Sequence, residues 1–357
     1  MTLILSNKDV EQVLTMPECM AALEEAYVEL AARRGLSRTM SECLVPTARH
    51  DSHYSLKSMD GVIPKLGIGA VRINSDIVNM LRVDNKVRRV KVPAAPDDRY
   101  VGLVLLFSTE NGEPLAIMPD GIMQRFRVGA TSGLGIKYLA RENAKTLGII
   151  GSGGQAGTQL MAACAVRDLE EIRCFSPNRE RREAFCNSMS RVLNIAVRPV
   201  DQPEQAVTDV DIALCATSSE GAIFFKPWLK AGMHVGSIRK PEIDMDAIRQ
   251  ADRVVIHTHN IKPITELSID LSDEPDVRER RTVKPTDVDI SKFPTIAEVI
   301  ARKATGRESD TEITCFMNNL GLGYQFAAAG SVVYRKAKAA GLGHNLPTDW
   351  FTEDVRP

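Results

Sequence analysis

Between positions 16 and 34 the apolar residues Met20, Leu23, Ala26, Tyr27, Leu30 and Ala31 recur every third or fourth residue. That is the stripe of an amphipathic helix, which Gly35 ends. The next stretch changes period. Residues 53–59 alternate, placing His53, Ser55, Lys57 and Met59 on one face of a strand, while 66–73 and 102–107 are short apolar runs edged by glycine. Pro93, Pro96, Asp97 and Asp98 mark an exposed loop within 83–100, and Asn111-Gly112 predicts a hairpin turn ahead of a strand over 115–118. A helix is expected from about 127 to 141. From 146 onward apolar strands alternate with helical stretches: TLGII, EIRCFS, IAVRPV, DIALCAT, HVGSI and DRVVIH. Such alternation predicts a parallel sheet with helices on both faces. The pattern then fades into a charged segment, 257–291, which reads as a long surface excursion and a candidate lid. A last helix over 322–340 carries Phe326, Ala329, Val332, Val333 and Ala337 on one side, and Gly341 closes it.

Composition narrows the function classes. A chain of 357 residues is expected to form two cores. Its formal charge of −1, Lys+Arg 45 against Asp+Glu 46, supplies no field for a nucleic acid. The seven cysteines are scattered singly and the six histidines never fall in an HExxH pattern, so no metal is expected and His257 and His259 read as a loop pair. The short apolar run at the start suits neither a signal peptide nor a membrane span, and cytoplasmic residence is the expectation.

The strongest chemical signal is Gly151-Ser152-Gly153-Gly154-Gln155-Ala156, which follows the strand over 146–150 and leads into a helix. The first glycine permits a tight turn, the second lets a diphosphate approach the backbone, and Ala156 allows close helix packing. Amides at that helix start would face the diphosphate. Where an acid would hold the ribose 2′-hydroxyl of NAD, the next strand ends in Cys174-Phe175-Ser176-Pro177-Asn178-Arg179, followed by Arg181 and Arg182. A 2′-phosphate would find donors and positive charge there, so NADP(H) is preferred and NAD(H) remains possible. The plain alternative is a solvated helix start. The expected cofactor residues are Gly151, Ser152, Gly153, Gln155 and Ala156, then Ser176, Asn178 and Arg179, then Ala216, Thr217 and Ser237 at later strand ends, with Thr131 upstream.

With about 140 residues ahead of this unit, Phe126-Arg127-Val128-Gly129-Ala130-Thr131-Ser132 before it, and Gly306-Arg307-Glu308-Ser309-Asp310 and Ile313-Thr314-Cys315-Phe316 after it, the chain resembles the ornithine cyclodeaminase and μ-crystallin family over most of its length. The resemblance implies an α/β protein in which a Rossmann dinucleotide-binding domain, 131–310, is inserted into a second α+β substrate and dimerisation domain built from both chain ends, 1–130 and 311–357. It also implies a homodimer that uses a nicotinamide cofactor to oxidise an amino acid or reduce an imino acid. Arg127 matches the family's arginine for the substrate carboxylate, and Arg38 matches an arginine upstream of the first strands. For either, a surface or domain-interface arginine is the alternative.

The departures shape the functional expectation. The family's lysine on the third early strand is replaced by Arg72, which cannot act as a base. Lys57, if desolvated close to Arg72, would have a lowered pKa and could carry a proton; the alternative is a sheet-edge lysine in water. The loop over 236–242 lacks the aspartate that cyclodeaminases use, Glu242 matches a structural glutamate at a helix start, and Met317-Asn318-Asn319 stands where the family has another acid. A convergence of basic groups then favours a substrate with an additional anionic group. The expectation is an NADP-preferring imino-acid reductase or amino-acid dehydrogenase with Lys57 and Arg72 catalytic, and Arg38, Lys57, Arg72 and Arg127 binding a small imino or amino acid. A non-catalytic NADP-binding accessory protein stays open, as does, more remotely, ornithine cyclisation with ammonia release.

Overall fold

The alternating segments near the chain start pair with one another through long antiparallel registers, because each carries one apolar face that must be buried. The computed structural model describes residues 1–83, 86–239, 242–259, 264–272, 274–281 and 289–354. Its first part comprises β1 (Thr2–Ile4), α1 (Asn7–Val13), α2 (Met16–Ala31), β2 (Leu36–Ser37), β3 (Ser41–Pro46), β4 (His53–Ile63), β5 (Ile68–Val83), β6 (Lys86–Val92), β7 (Val101–Ser108), β8 (Pro114–Pro119) and α3 (Gly121–Leu139). The middle runs β9 (Thr146–Ile150), α4 (Gly154–Val166), β10 (Glu171–Phe175), α5 (Arg179–Leu193), β11 (Val197–Pro199), α6 (Pro203–Val207), β12 (Ile212–Cys215), β13 (His234–Ser237), α7 (Met245–Gln250) and β14 (Arg253–Ile256). It is followed by β15 (Ile264–Leu267), α8 (Ile269–Ser272), α9 (Pro275–Arg281), α10 (Ile296–Ile300), β16 (Thr314–Met317), α11 (Tyr324–Ala339) and β17 (His344–Leu346).

Among the described residues the strands form two sheets. One has the order β15-β3-β4-β5-β7-β8-β1-β17, with β2 beside β4 and β6 beside β5. The other, β11-β10-β9-β12-β13-β16-β14, is parallel throughout and of Rossmann type. Its order reverses between β9 and β12, so a crevice opens at the carboxyl ends of those strands. The last helix, α11, lies over the first sheet, where Phe326, Val332 and Val333 bury with Met59, Ile63, Ala70, Val104 and Leu106. Helix α3 joins the two halves. A Cβ on its Gly129 would stand 2.5 Å from the Thr158 carbonyl of α4, so glycine is what lets these helices touch.

Four segments differ from the sequence expectation. Helix α3 begins at Gly121, six positions before 127, and Met123, Phe126 and Ala130 pack into the core at helical spacing from its first turns. The run over 66–73 continues, from Ile68, into a strand twice that long, β5, whose second half pairs with β6, a strand inside what reads as loop 83–100. The motif around Cys315 is a buried parallel strand, β16, inserted between β13 and β14. The segment over 257–291 is more than a surface excursion in its described part: β15 extends the first sheet beside β3, and Leu271 and Val277 bury against Leu44 and Val78. Positions 84–85, 260–263, 273 and 282–288 of these two loop readings lie outside the described residues.

Candidate active site

The glycine turn is shaped as its spacing predicts. Gly151 has φ +124°, and a Cβ there would stand 2.3 Å from the Ala216 carbonyl oxygen, so only glycine fits. Gly153, the residue capping α4, faces open space: a side chain built on it would meet nothing within 4 Å. Together these residues floor a cleft of about 860 Å³ at the carboxyl ends of β9, β10, β12 and β13. A free turn, open room beside it and a helix N-terminus aimed at that room fit a dinucleotide diphosphate.

Of the expected cofactor residues, Gly151, Ser152, Gly153, Gln155, Ser176, Asn178, Ala216 and Thr217 line this cleft. The other four sit elsewhere. Ala156 is fully buried beneath the turn, where its small size serves helix packing. Ser237 is buried at the end of β13. Thr131 is enclosed on α3, bonded to Tyr27 and Gln325. Arg179 points outward, its side chain 78% exposed and paired with Glu183 one helical turn on. Arg182 is committed to Asp201 and packs on Phe175. Arg181, between them, lines the cleft, because the Asn178 cap fixes the helix start so that the third residue faces inward. A second arginine in the lining, Arg88 of β6, matches no sequence motif. Among the described residues the cleft lining contains no carboxylate.

The expected substrate residues converge only in part. On the inner face of the first sheet, cross-strand register sets Met59 opposite Arg72, Lys57 opposite Asn74 and Ser55 opposite Asp76. The apolar end of this face lies under α11, and the polar end does not. Arg72 is buried, with Nε and Nη2 at 2.8 and 2.7 Å from one carboxylate oxygen of Asp120. Asn74 donates to the same oxygen at 3.1 Å. Arg127, on α3, stands on the same Phe326 ring as Arg72, the two guanidinium carbons 5.3 and 5.2 Å from its centroid. Its Nη1 donates to Gln325 at 3.0 Å and its Nη2 to Gln124 at 2.8 Å, both neutral amides. Among the described residues no carboxylate pairs with Arg127. Burial, and secondly the neighbouring Arg72, pull its pKa down to about 9, which leaves it cationic at neutral pH. Arg38 is not part of this group: its side chain is 81% exposed and paired with Asp60.

Lys57 is mostly covered, its side chain 14% exposed, rather than a solvated edge lysine. Burial and then the Arg89 cation lower its pKa to about 8, with Glu42 and Asp76 opposing at 3.7 and 4.0 Å. The depressing neighbour is therefore Arg89 on the unforeseen β6, not Arg72. Three carboxylates, Glu42, Asp76 and Asp120, lie among the five cations Lys57, Arg72, Arg89, Lys91 and Arg127. The uncompensated cluster of basic groups expected from sequence is thus largely neutralised, and the surplus centres on Arg127. These acids went unseen because their relevance depends on strand register across separate segments.

Other side chains support the site from behind. Glu242 is fully buried, accepting from the Thr217 amide and hydroxyl and from the Ile238 and Arg239 amides, so it ties together the loops after β12 and β13 rather than capping a helix. Lys240 and Pro241 of that loop lie outside the described residues. His257, expected as a loop residue, is buried, with Nε2 2.8 Å from the Tyr27 hydroxyl and Nδ1 on the Leu320 carbonyl. Burial pushes its pKa down to about 3, so it is neutral, and because a carbonyl oxygen can only accept, the bond to Leu320 places its proton on Nδ1. Asn318 bonds Val128 and Ser132, joining β16 to α3.

Residues 1–341 match the model of the ornithine cyclodeaminase/mu-crystallin family. An alanine dehydrogenase of Archaeoglobus fulgidus is 28% identical over 355 residues, covering 97% of this chain and 98% of that protein. The structure of Thermococcus litoralis Delta(1)-pyrroline-2-carboxylate reductase in complex with NADH and L-proline has a TM-score of 0.76 at 26% identity, covering 97% of this chain and all of that one. An archaeal alanine dehydrogenase dimer with bound NAD has a TM-score of 0.74 at 26% identity, covering 97% and 99%. Fold, glycine turn and near-full-length match agree: the chain belongs to the ornithine cyclodeaminase/mu-crystallin family.

Proposed function

We propose that this protein is an oxidoreductase that moves a hydride between a nicotinamide cofactor and the α-carbon of an imino or amino acid. The observation that carries the reading is the combination of the 860 Å³ glycine-floored cleft with a buried arginine, Arg127, that pairs with no carboxylate among the described residues. When bound, the nicotinamide donates or accepts the hydride, and the chain contributes binding, orientation and a proton. Arg127 receives the substrate carboxylate in a two-pronged contact, held in place by Gln124 and Gln325. Arg72, already occupied by Asp120, shapes the wall and adds positive potential. Lys57, with a pKa of about 8, carries the proton.

NADP(H) is the preferred cofactor in this reading, with NAD(H) accepted. Arg181 supports it, since it lines the cleft beside Ser176 and Asn178, pairs with no carboxylate among the described residues, and meets no acid in the lining. The relatives named above were solved with NADH or NAD, so the preference rests on this chain's own residues. The working form is a homodimer. The outer face of the first sheet leaves Val45, Leu56, Val62 and Leu103 exposed, an apolar surface suited to a second copy, and the archaeal alanine dehydrogenase is a dimer. Titration of nucleotide-free protein with NADPH and NADH, then an absorbance screen of imino acids made from α-keto acids and amines, tests the function. Cofactor oxidation with one imino-acid class supports it; tight nucleotide binding without turnover moves the assignment to an accessory binding protein, and no binding overturns it. Light scattering tests the dimer.

A further inference from the structure

The second half of β5 pairs antiparallel with β6, and adjacent residues on β6 go to opposite sides as strand geometry requires. Arg89 turns to Glu42 on the inner face, and Lys91 to Asp76. Arg88 turns the other way, into the dinucleotide cleft, where its Nη2 donates to the hydroxyl of Ser218 just past β12. Arg82 on the β5 side of this pair is held by Asp276 and Glu279 of α9, so the charged helix pair after β15 braces the arm. Each of these cations has a carboxylate except Arg88, which among the described residues has only a neutral hydroxyl. A half-buried cation left without an acid, inside a cleft whose described lining has no acid, is placed for an anionic ligand.

Its position selects which anion. Ser218 continues the strand end that contacts the glycine turn, through the Ala216 carbonyl packed on Gly151. The Ser176 to Arg181 segment, by contrast, follows β10. We infer that Arg88, delivered by the substrate domain, binds the diphosphate of the dinucleotide held by the other domain. The inference rests on the nicotinamide reading above and deepens it, for it makes both domains grip one ligand. Nucleotide binding then stabilises one interdomain arrangement, because the cation and the glycine turn belong to separate domains.

The test compares wild-type protein with Arg88→Gln and Arg88→Lys, measuring dissociation constants for NADH, NADPH and ADP-ribose by fluorescence or calorimetry without substrate. Arg88→Gln is expected to weaken all three by the same factor, roughly ten- to a hundredfold for a lost charge-assisted hydrogen bond. Arg88→Lys should recover part of that loss. The unfolding midpoint of the nucleotide-free Gln variant should stay at the wild-type value, since the exposed bond to Ser218 adds little stability. Unchanged affinities overturn the inference, as does a loss confined to NADPH, which would place Arg88 at the 2′-phosphate. Failure of the wild-type protein to bind either nucleotide would instead remove the nicotinamide reading itself.

Discussion

In the proposed function the dinucleotide cleft and the inner face of the first sheet solve the same problem, holding a small anion, with different material. The cleft is mostly backbone. Gly151 supplies a turn that only glycine fits, α4 supplies amides, and among the described lining residues only Arg88 and Arg181 bring charge. The sheet face is almost entirely side chain: Arg72 on Asp120, Lys57 between Glu42 and Asp76, and Arg127 between two glutamines. A backbone site fails all at once when its one strained position is altered. A side-chain site loses function piece by piece, and each piece depends on neighbours from other strands.

The sharpest break in that contrast is expected at Arg127. Replacing it with glutamine should lower kcat/KM for the imino acid roughly 30-fold to 1,000-fold, the cost of removing one partner of a buried charge pair. NADPH affinity should not move, and an equal loss in both would place Arg127 outside the substrate site. Gly151→Ala comes next, expected to weaken NADH and NADPH alike by about ten- to a hundredfold, since the strained φ costs about 1–3 kcal/mol and the Ala216 contact adds to it. Normal nucleotide binding by that variant would refute the backbone account.

Smaller effects separate the charged residues. Arg181→Ala should weaken NADPH about tenfold and leave NADH unchanged, the signature of a lost 2′-phosphate contact. Equal changes would move Arg181 to another anion. The smallest expected effect is a shift in pH dependence. In the reductive direction Lys57 must be protonated, so kcat/KM should fall as pH rises through about 8. Arg89→Gln removes a cation that depresses this pKa, so the alkaline limb should move to higher pH by less than about one unit. A limb that stays in place, or moves down, would exclude Lys57 as the group observed.

The sequence was legible where function depends on a contiguous string. Gly151 to Ala156 carries its own structural context, a strand before it and a helix after it, so turn, cleft and cofactor class could be read from one segment. Arg127 was singled out through the family likeness of its flanks, and the structure buries it beside Arg72 on the Phe326 ring. Arg38 shared that kind of likeness and stands in solvent instead, paired with Asp60, since a match of residue type does not state which way a strand end faces. Arg179 was likewise displaced by its neighbour Arg181: a shift of two positions on a helix turns a side chain through about 200°.

The amino-acid order by itself determined the parallel alternation of the Rossmann half, the glycine turn and the final helix. These are local events, governed by period and by glycine's freedom at positive φ. Tertiary structure alone decided that β16 enters the sheet from far along the chain, that β6 sets Arg89 beside Lys57 and Arg88 in the cleft, and that Asp120, not a substrate, occupies Arg72. The physical reason is that strand pairing and burial are long-range. Which charges are neutralised, and which are left free to bind, is fixed only when distant segments meet.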